Sequence, residues 1–175
     1  FEPANIALLL MDSELPIESS GQLGSLIEDS VTMEFGDEIL AAIKERIGAD
    51  RFHAIINDPQ RTDGLLSTAI IRYGLLKNYE TLNSIRLLLE SGLNPNEAFR
   101  DGSGRPGKVA LDYADYEVFT LLKEFGTEIS IDDSYVLENK VKFYRDEIDW
   151  SEVSYQERLR IREKILGIRK IAKEL

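Results

Sequence analysis

Residues Ser84 to Asn96 read SIRLLLESGLNPN. A segment carrying Ile85, Leu87, Leu88 and Leu89 ends in Glu-Ser-Gly and runs into Asn-Pro-Asn. Phe119 to Glu128, FTLLKEFGTE, repeats the pattern at an offset of 34 residues, aligning Leu121 with Leu87, Leu122 with Leu88, Glu124 with Glu90 and Gly126 with Gly92. Each copy predicts a helix that buries its leucines. Each then stops at a glycine able to take the left-handed cap conformation.

A second, shorter helical pattern precedes each copy: Leu65 to Ile70 before the first, Val109 to Ala114 before the second. The unit is a helix, a turn, a second helix and a glycine stop. This resembles the ankyrin repeat. Leu66, Ala69 and Ile70 match its first helix, Ile85, Leu87, Leu88 and Leu89 its second, and Gly92-Leu93-Asn94-Pro95-Asn96 its exit loop. In the second unit Ala110, Leu111, Asp112, Ala114, Val118, Leu121, Leu122 and Gly126 match. The first unit carries about six or seven extra residues between its helices, around Tyr73 to Leu82, and the second is short there, at Asp115-Tyr116. The family's Thr-Pro and His are absent.

The resemblance covers Gly64 to Ile129, and two repeats do not close a core alone. The flanks must therefore supply caps or degenerate repeats. Asp37 to Ile43 predicts a helix stopping near Gly48, and Asp50 to Ile56 a second with Phe52, Ile55 and Ile56 inward, ended by Asp58-Pro59. Before them lie an apolar segment at Ile6 to Leu10, a loop through Pro16 and Gly21, and a helix near Leu23 to Ser30. After the repeats, Ser134 to Asp146 predicts a helix with Val136, Leu137, Val141 and Tyr144 on one face. Ser154-x-x-Glu157 is a capping box opening a helix to about Lys173. That last helix offers Leu159, Leu166 and Ala172, with Ile161, Ile165 and Ile168 offset from them, a wide apolar stripe that predicts packing. The expected fold is a single all-α domain: an N-terminal helical cap or degenerate repeat (1–62), ankyrin-like repeats (63–130) and a C-terminal helical cap (131–175).

With 43% apolar and 30% charged residues, the chain can bury a globular core. No apolar run reaches the roughly 18 residues of a membrane span. The absence of cysteine excludes disulfides, thiolate metal sites and cysteine nucleophiles. A cysteine-free chain is at home in a reducing cytosol, though exported proteins also lack cysteine at times; the expected location is cytoplasmic. The chain opens at Phe1 rather than Met, which implies a trimmed start, tag or targeting segment. A net charge of −11 argues against nucleic-acid binding. The charge is uneven: residues 154–175 carry seven Lys/Arg and three Asp/Glu, leaving about −15 on the rest.

Gly102 to Lys108, GSGRPGK, has the outline of a phosphate loop. That chemistry needs a preceding buried strand and a Ser or Thr after the lysine. Here Val109 follows, and Pro106 removes an amide donor. The stretch reads instead as an inter-repeat finger. His53 is the only histidine, so the usual transition-metal ligand sets and a Ser-His-Asp triad lack members, and it reads as an ordinary helix residue. Asp132-Asp133, Asp146-Glu147 and Asp149 read as solvated acids, and no window satisfies an EF-hand. Tyr144, Trp150 and Tyr155 read as the packing joint of the C-terminal cap, and the basic last helix as folding onto the acidic body.

The resemblance implies a non-enzymatic protein-binding module without cofactor or metal. Its expected contacts are Phe99, Arg100, Arg105 and Lys108 on the finger and Arg72, Tyr73, Lys77 and Tyr79 at the end of the first repeat's inner helix. The expected partner is another protein, a basic one being favoured by charge, with the chain itself a monomer or weak homo-oligomer. A small acidic chain suits an inhibitor or immunity-type protein that occludes a cognate toxin or enzyme. The alternatives are a host-directed ankyrin effector docking a larger protein, and a small enzyme using paired carboxylates on the helical scaffold.

Overall fold

A computed structural model describes residues 20–58, 64–96, 105–113, 115–128 and 131–174. The described residues are all-helical, without strands. The helices are α1 (Ser20–Ser30), α2 (Gly36–Ile47), α3 (Ala49–Ile56), α4 (Leu65–Leu76), α5 (Tyr79–Glu90), α6 (Pro106–Tyr113), α7 (Tyr116–Glu124), α8 (Ile131–Lys142), continued by a π turn at Phe143–Glu147, and α9 (Tyr155–Ala172). The apolar segment expected at Ile6 to Leu10 lies outside the described residues.

The two glycine stops form as the pattern requires. Gly92 (φ 86°) and Gly126 (φ 81°) are left-handed. Leu93 N donates to Leu88 O (3.1 Å) and Gly92 N to Leu89 O (2.9 Å). Thr127 N donates to Leu122 O (3.1 Å) and Gly126 N to Lys123 O (3.1 Å). Both are Schellman endings, which satisfy carbonyls a helix terminus otherwise leaves open.

The helices pack as consecutive hairpins. α4 lies on α5 and α6, α6 on α7 and α8, and α9 on α7 and α8; at the N-terminal end α2 packs on α3 and α5, and α1 on α2 and α3. One buried cluster runs from Leu23 and Ile27 on α1 through Phe52, Ile70 and Ile85 to Val118, Leu121 and Leu122. A second joins Leu111, Phe119, Leu137, Ile168 and Ile171. The α6–α7 hairpin contributes to both clusters, so it is the wall between them. The last helix therefore docks through Ile161, Ile168 and Ile171.

The structure changes several expectations. The extra residues around Tyr73 to Leu82 do not form a long loop. They lengthen α4 and α5 to 12 residues each and leave Lys77-Asn78 as the turn. Added helical residues keep their backbone hydrogen bonds, which a buried loop would lose. Among the described side chains of α8 and its π turn, Leu137 is buried, Val136 and Tyr144 are half-buried, and Val141 is exposed. On α9 Ile161, Ile168 and Ile171 are buried and Ile165 is half-buried, leaving Leu159 and Leu166 42% and 48% exposed. Tyr155 is 76% exposed and Trp150 37%, so the expected aromatic joint reduces to Tyr144.

Candidate protein-interaction surface

The α4–α5 and α6–α7 turns lie side by side. Lys77 ends α4 in a left-handed conformation (φ 53°), its N–H donating to Tyr73 O at 2.7 Å. Asn78 then caps α5, its side chain accepting from Thr81 N at 3.3 Å. Across the joint Asp115 caps α7, accepting from Glu117 N (3.1 Å) and Val118 N (3.3 Å). Asp115 is 3% exposed, and its other oxygen takes the Lys77 ammonium in a salt bridge. Lys77 Nζ also lies 5.1 Å over the Tyr73 ring. The Tyr73 hydroxyl donates to the Glu117 carboxylate.

Helix packing allows this close approach because residue 74 is glycine. A Cβ there would stand 2.3 Å from Tyr113 Cδ1. Burial and the Glu117 bond push the Tyr73 phenol above its ordinary range. Burial pulls the Lys77 ammonium down, while Glu117 favours its charged form. Glu163 and Lys164 of α9 also act on Lys77, and Asp112 and Lys164 act on Lys140.

Above this braced base stand Leu75 (70% exposed), Leu76 (49%) and Tyr79 (74%). Three large apolar side chains in five residues form a surface patch on a rigid ridge. Tyr79 was among the expected contacts. Two other expected contacts, Tyr73 and Lys77, hold the two hairpins together: Tyr73 is buried and Lys77 is tied to Asp115. The reason was legible in spacing, since Leu66, Ala69, Ile70 and Tyr73 fall on one helical face. Arg72 is half-buried, its Nε without a partner among the described residues. Leu75 and Leu76 went unmarked because apolar residues in a helix read as core. Asp115 carried the signal of an N-cap, an acid just before a helix.

The finger group lies elsewhere. Arg105 and Lys108 are exposed at the start of α6. Tyr113 ends that helix, roughly 12 Å away along its axis. Phe99 and Arg100 lie outside the described residues, as do Gly102, Ser103 and Gly104 of the phosphate-loop lookalike.

His53 is structural. Its Nδ1 lies 2.9 Å from Ser91 O and 3.3 Å from Asn57 Nδ2, at the joint between α3 and the end of α5. Asn57 Nδ2 donates to Gly92 O at 3.1 Å. One unit further on, Asn96 Nδ2 donates to Gly126 O at 3.2 Å and Asn96 Oδ1 accepts from Glu128 N at 2.7 Å. The Asn-Pro-Asn tail is thus a loop clamp; Asn94 Oδ1 accepts from Asn96 N at 2.9 Å and turns the chain over Pro95. Among the acidic clusters, Asp146 holds Arg145 in a fork (2.6 and 2.8 Å) and Asp149 takes Ser151 N (3.0 Å) and Oγ (2.6 Å).

Among the described residues no group of three or more His, Cys, Asp or Glu is placed to hold a metal, and no helix is long and apolar enough to cross a membrane. No protein-family model, curated protein or solved structure matches the chain.

Proposed function

We propose that the chain is a non-enzymatic protein-binding module of ankyrin-like build, an inhibitor or immunity-type protein that occludes a cognate toxin or enzyme. The observation that carries this is the Leu75, Leu76 and Tyr79 patch on its salt-bridged ridge. Apolar and aromatic anchors on a rigid base lose little conformational entropy on binding, as hot spots require. The acidic body steers a basic partner toward the ridge, which then blocks access sterically. The ankyrin-like build is supported by the two Schellman endings, the packing of α4, α6 and α8 in sequence, and the asparagine clamps between successive exit loops.

The test is affinity capture from a native lysate with purified chain, read by mass spectrometry. A Leu75→Ser/Leu76→Ser/Tyr79→Ala variant runs beside an Arg105→Glu/Lys108→Glu variant. One stoichiometric partner, kept by the finger variant and lost by the ridge variant, is the expected result. Loss only in the finger variant moves the surface to the start of α6. A chain that captures no partner at low or high salt overturns the reading.

A further inference from the structure

The last helix presents a second surface of different chemistry. Its inward side is occupied by Ile161, Ile168 and Ile171. Its C-terminal end is pinned to α7, where Tyr116 Oη donates to Glu174 (2.5 Å) and Lys123 lies 3.4 Å from Glu174, and at its N-terminal end Arg158 ties it to its own lead-in loop through Trp150 O (2.7 Å) and Val153 O (2.9 Å). The outward side therefore forms a fixed rod, 18 residues or about 27 Å long.

Along that side Tyr155, Leu159, Arg162, Leu166, Arg169 and Lys173 are all exposed, spaced by alternating steps of four and three residues. This is the core spacing of a two-stranded coiled coil. Leu159 and Leu166 hold one core position, and Arg162 and Arg169 hold the other. Among the described residues none of Arg162, Arg169 or Lys173 pairs with a carboxylate.

We propose that this face docks an acidic amphipathic helix of a partner protein, with apolar residues meeting Leu159 and Leu166 and carboxylates meeting Arg162 and Arg169. A second copy of this chain is a poor occupant. Parallel pairing sets arginine on arginine, and antiparallel pairing leaves the same cations in one seam without an acid. An anionic membrane is a poor occupant too. The apolar residues stand in single file, whereas interfacial helices need a wide apolar face. The remainder of the chain, at about −15, is also repelled by anionic lipid.

The test is fluorescence anisotropy of the full chain against a labelled three-heptad peptide, with leucine at one core position and glutamate at the other core and flanking positions. The expected result is binding that weakens about ten-fold for a scrambled peptide and for Leu159→Ser/Leu166→Ser, a difference of about 1.4 kcal/mol. Arg162→Glu/Arg169→Glu abolishes it at low and high salt, while the ridge variant binds as wild type. Both leucines are exposed, so circular dichroism should show intact helices. Equal binding to scrambled and patterned peptide overturns the proposal, as does no binding. Co-sedimentation with phosphatidylserine vesicles that the peptide cannot displace overturns it in favour of a membrane. A dimer in analytical ultracentrifugation, lost in the leucine variant, overturns it in favour of a second copy.

Discussion

The amide of Asn96 donates to the carbonyl of Gly126 at 3.2 Å, joining the exit loop of one hairpin to the glycine stop of the next. Asn57 does the same to Gly92 at 3.1 Å. The two clamps share no residue. Each contact is solvent-exposed, so losing it leaves no dry orphan. Asn96→Ala and Asn57→Ala each remove two bonds, Asn57 also donating to His53 O at 3.0 Å, and each should lower stability by about 1 kcal/mol. The double variant should be additive in urea unfolding. A coupling as large as either single effect would mean that the loops do not act independently.

Gly74→Ala tests the α4–α6 joint. Alanine favours a helix over glycine by about 1 kcal/mol. Here its Cβ would meet the Tyr113 ring at 2.3 and 2.6 Å and Tyr113 Cβ at 3.0 Å. Overpacking of this kind costs about 1–3 kcal/mol, so the net change should be destabilising. Adding Tyr113→Ala should recover part of the loss. A stabilised Gly74→Ala, measured by thermal melt, would contradict the close approach.

Asp115→Ala removes the α7 cap and the partner of Lys77. The cap contributes about 1 kcal/mol. The ion pair adds about 1 kcal/mol, kept small because Lys77 is half in water. Asp115→Asn keeps an acceptor for Glu117 N and Val118 N and should lose only the second part. If both substitutions lowered the urea midpoint equally, the cap would contribute nothing separable.

Alkaline pH should reveal Tyr73. Its phenol is raised from 10.0 by burial and by the Glu117 bond, and Tyr144 is raised by burial. A raised folded-state value means that the native chain holds those protons more tightly. That stability is complete below about pH 10 and is lost as pH rises above it. Lys77, lowered from 10.5, acts in the opposite sense over the neighbouring window. Ultraviolet titration should show a delayed group of phenols, Tyr73 among them, that ionises with unfolding. Tyr73→Phe should shrink the delayed group, and an unchanged delayed amplitude would rule out the buried Glu117 bond.

Gly36 sits under the Ser30 carbonyl, and a Cβ there would stand 2.1 Å from that oxygen. Backbone cannot swing aside as a side chain can. Gly36→Ala should therefore cost at least about 2 kcal/mol and detach α1 first. Hydrogen exchange should show α1 amides losing protection before those of α5. Uniform loss across both would instead mean that α1 unfolds with the whole.

Much of this protein was determined by sequence alone, wherever the chemistry closes within five residues. Gly92 and Gly126 end their helices, Ser154 opens α9, and Gly48 separates α2 from α3, because each cap is made by neighbours in the chain. The candidate ridge was half legible. Tyr79 and the segment around it were marked, but Tyr73 turned inward, Lys77 was tied to Asp115, and Leu75 and Leu76 turned outward. Only the tertiary structure decided these, because burial depends on which helix arrives alongside. The last helix carries two apolar sets, and periodicity cannot say which is buried. α7 and α8 chose Ile168 and Ile171, and that choice left Leu159 and Leu166 facing solvent between arginines. The partners of Asn96 and Lys77 lie 30 and 38 residues away, where no local rule reaches.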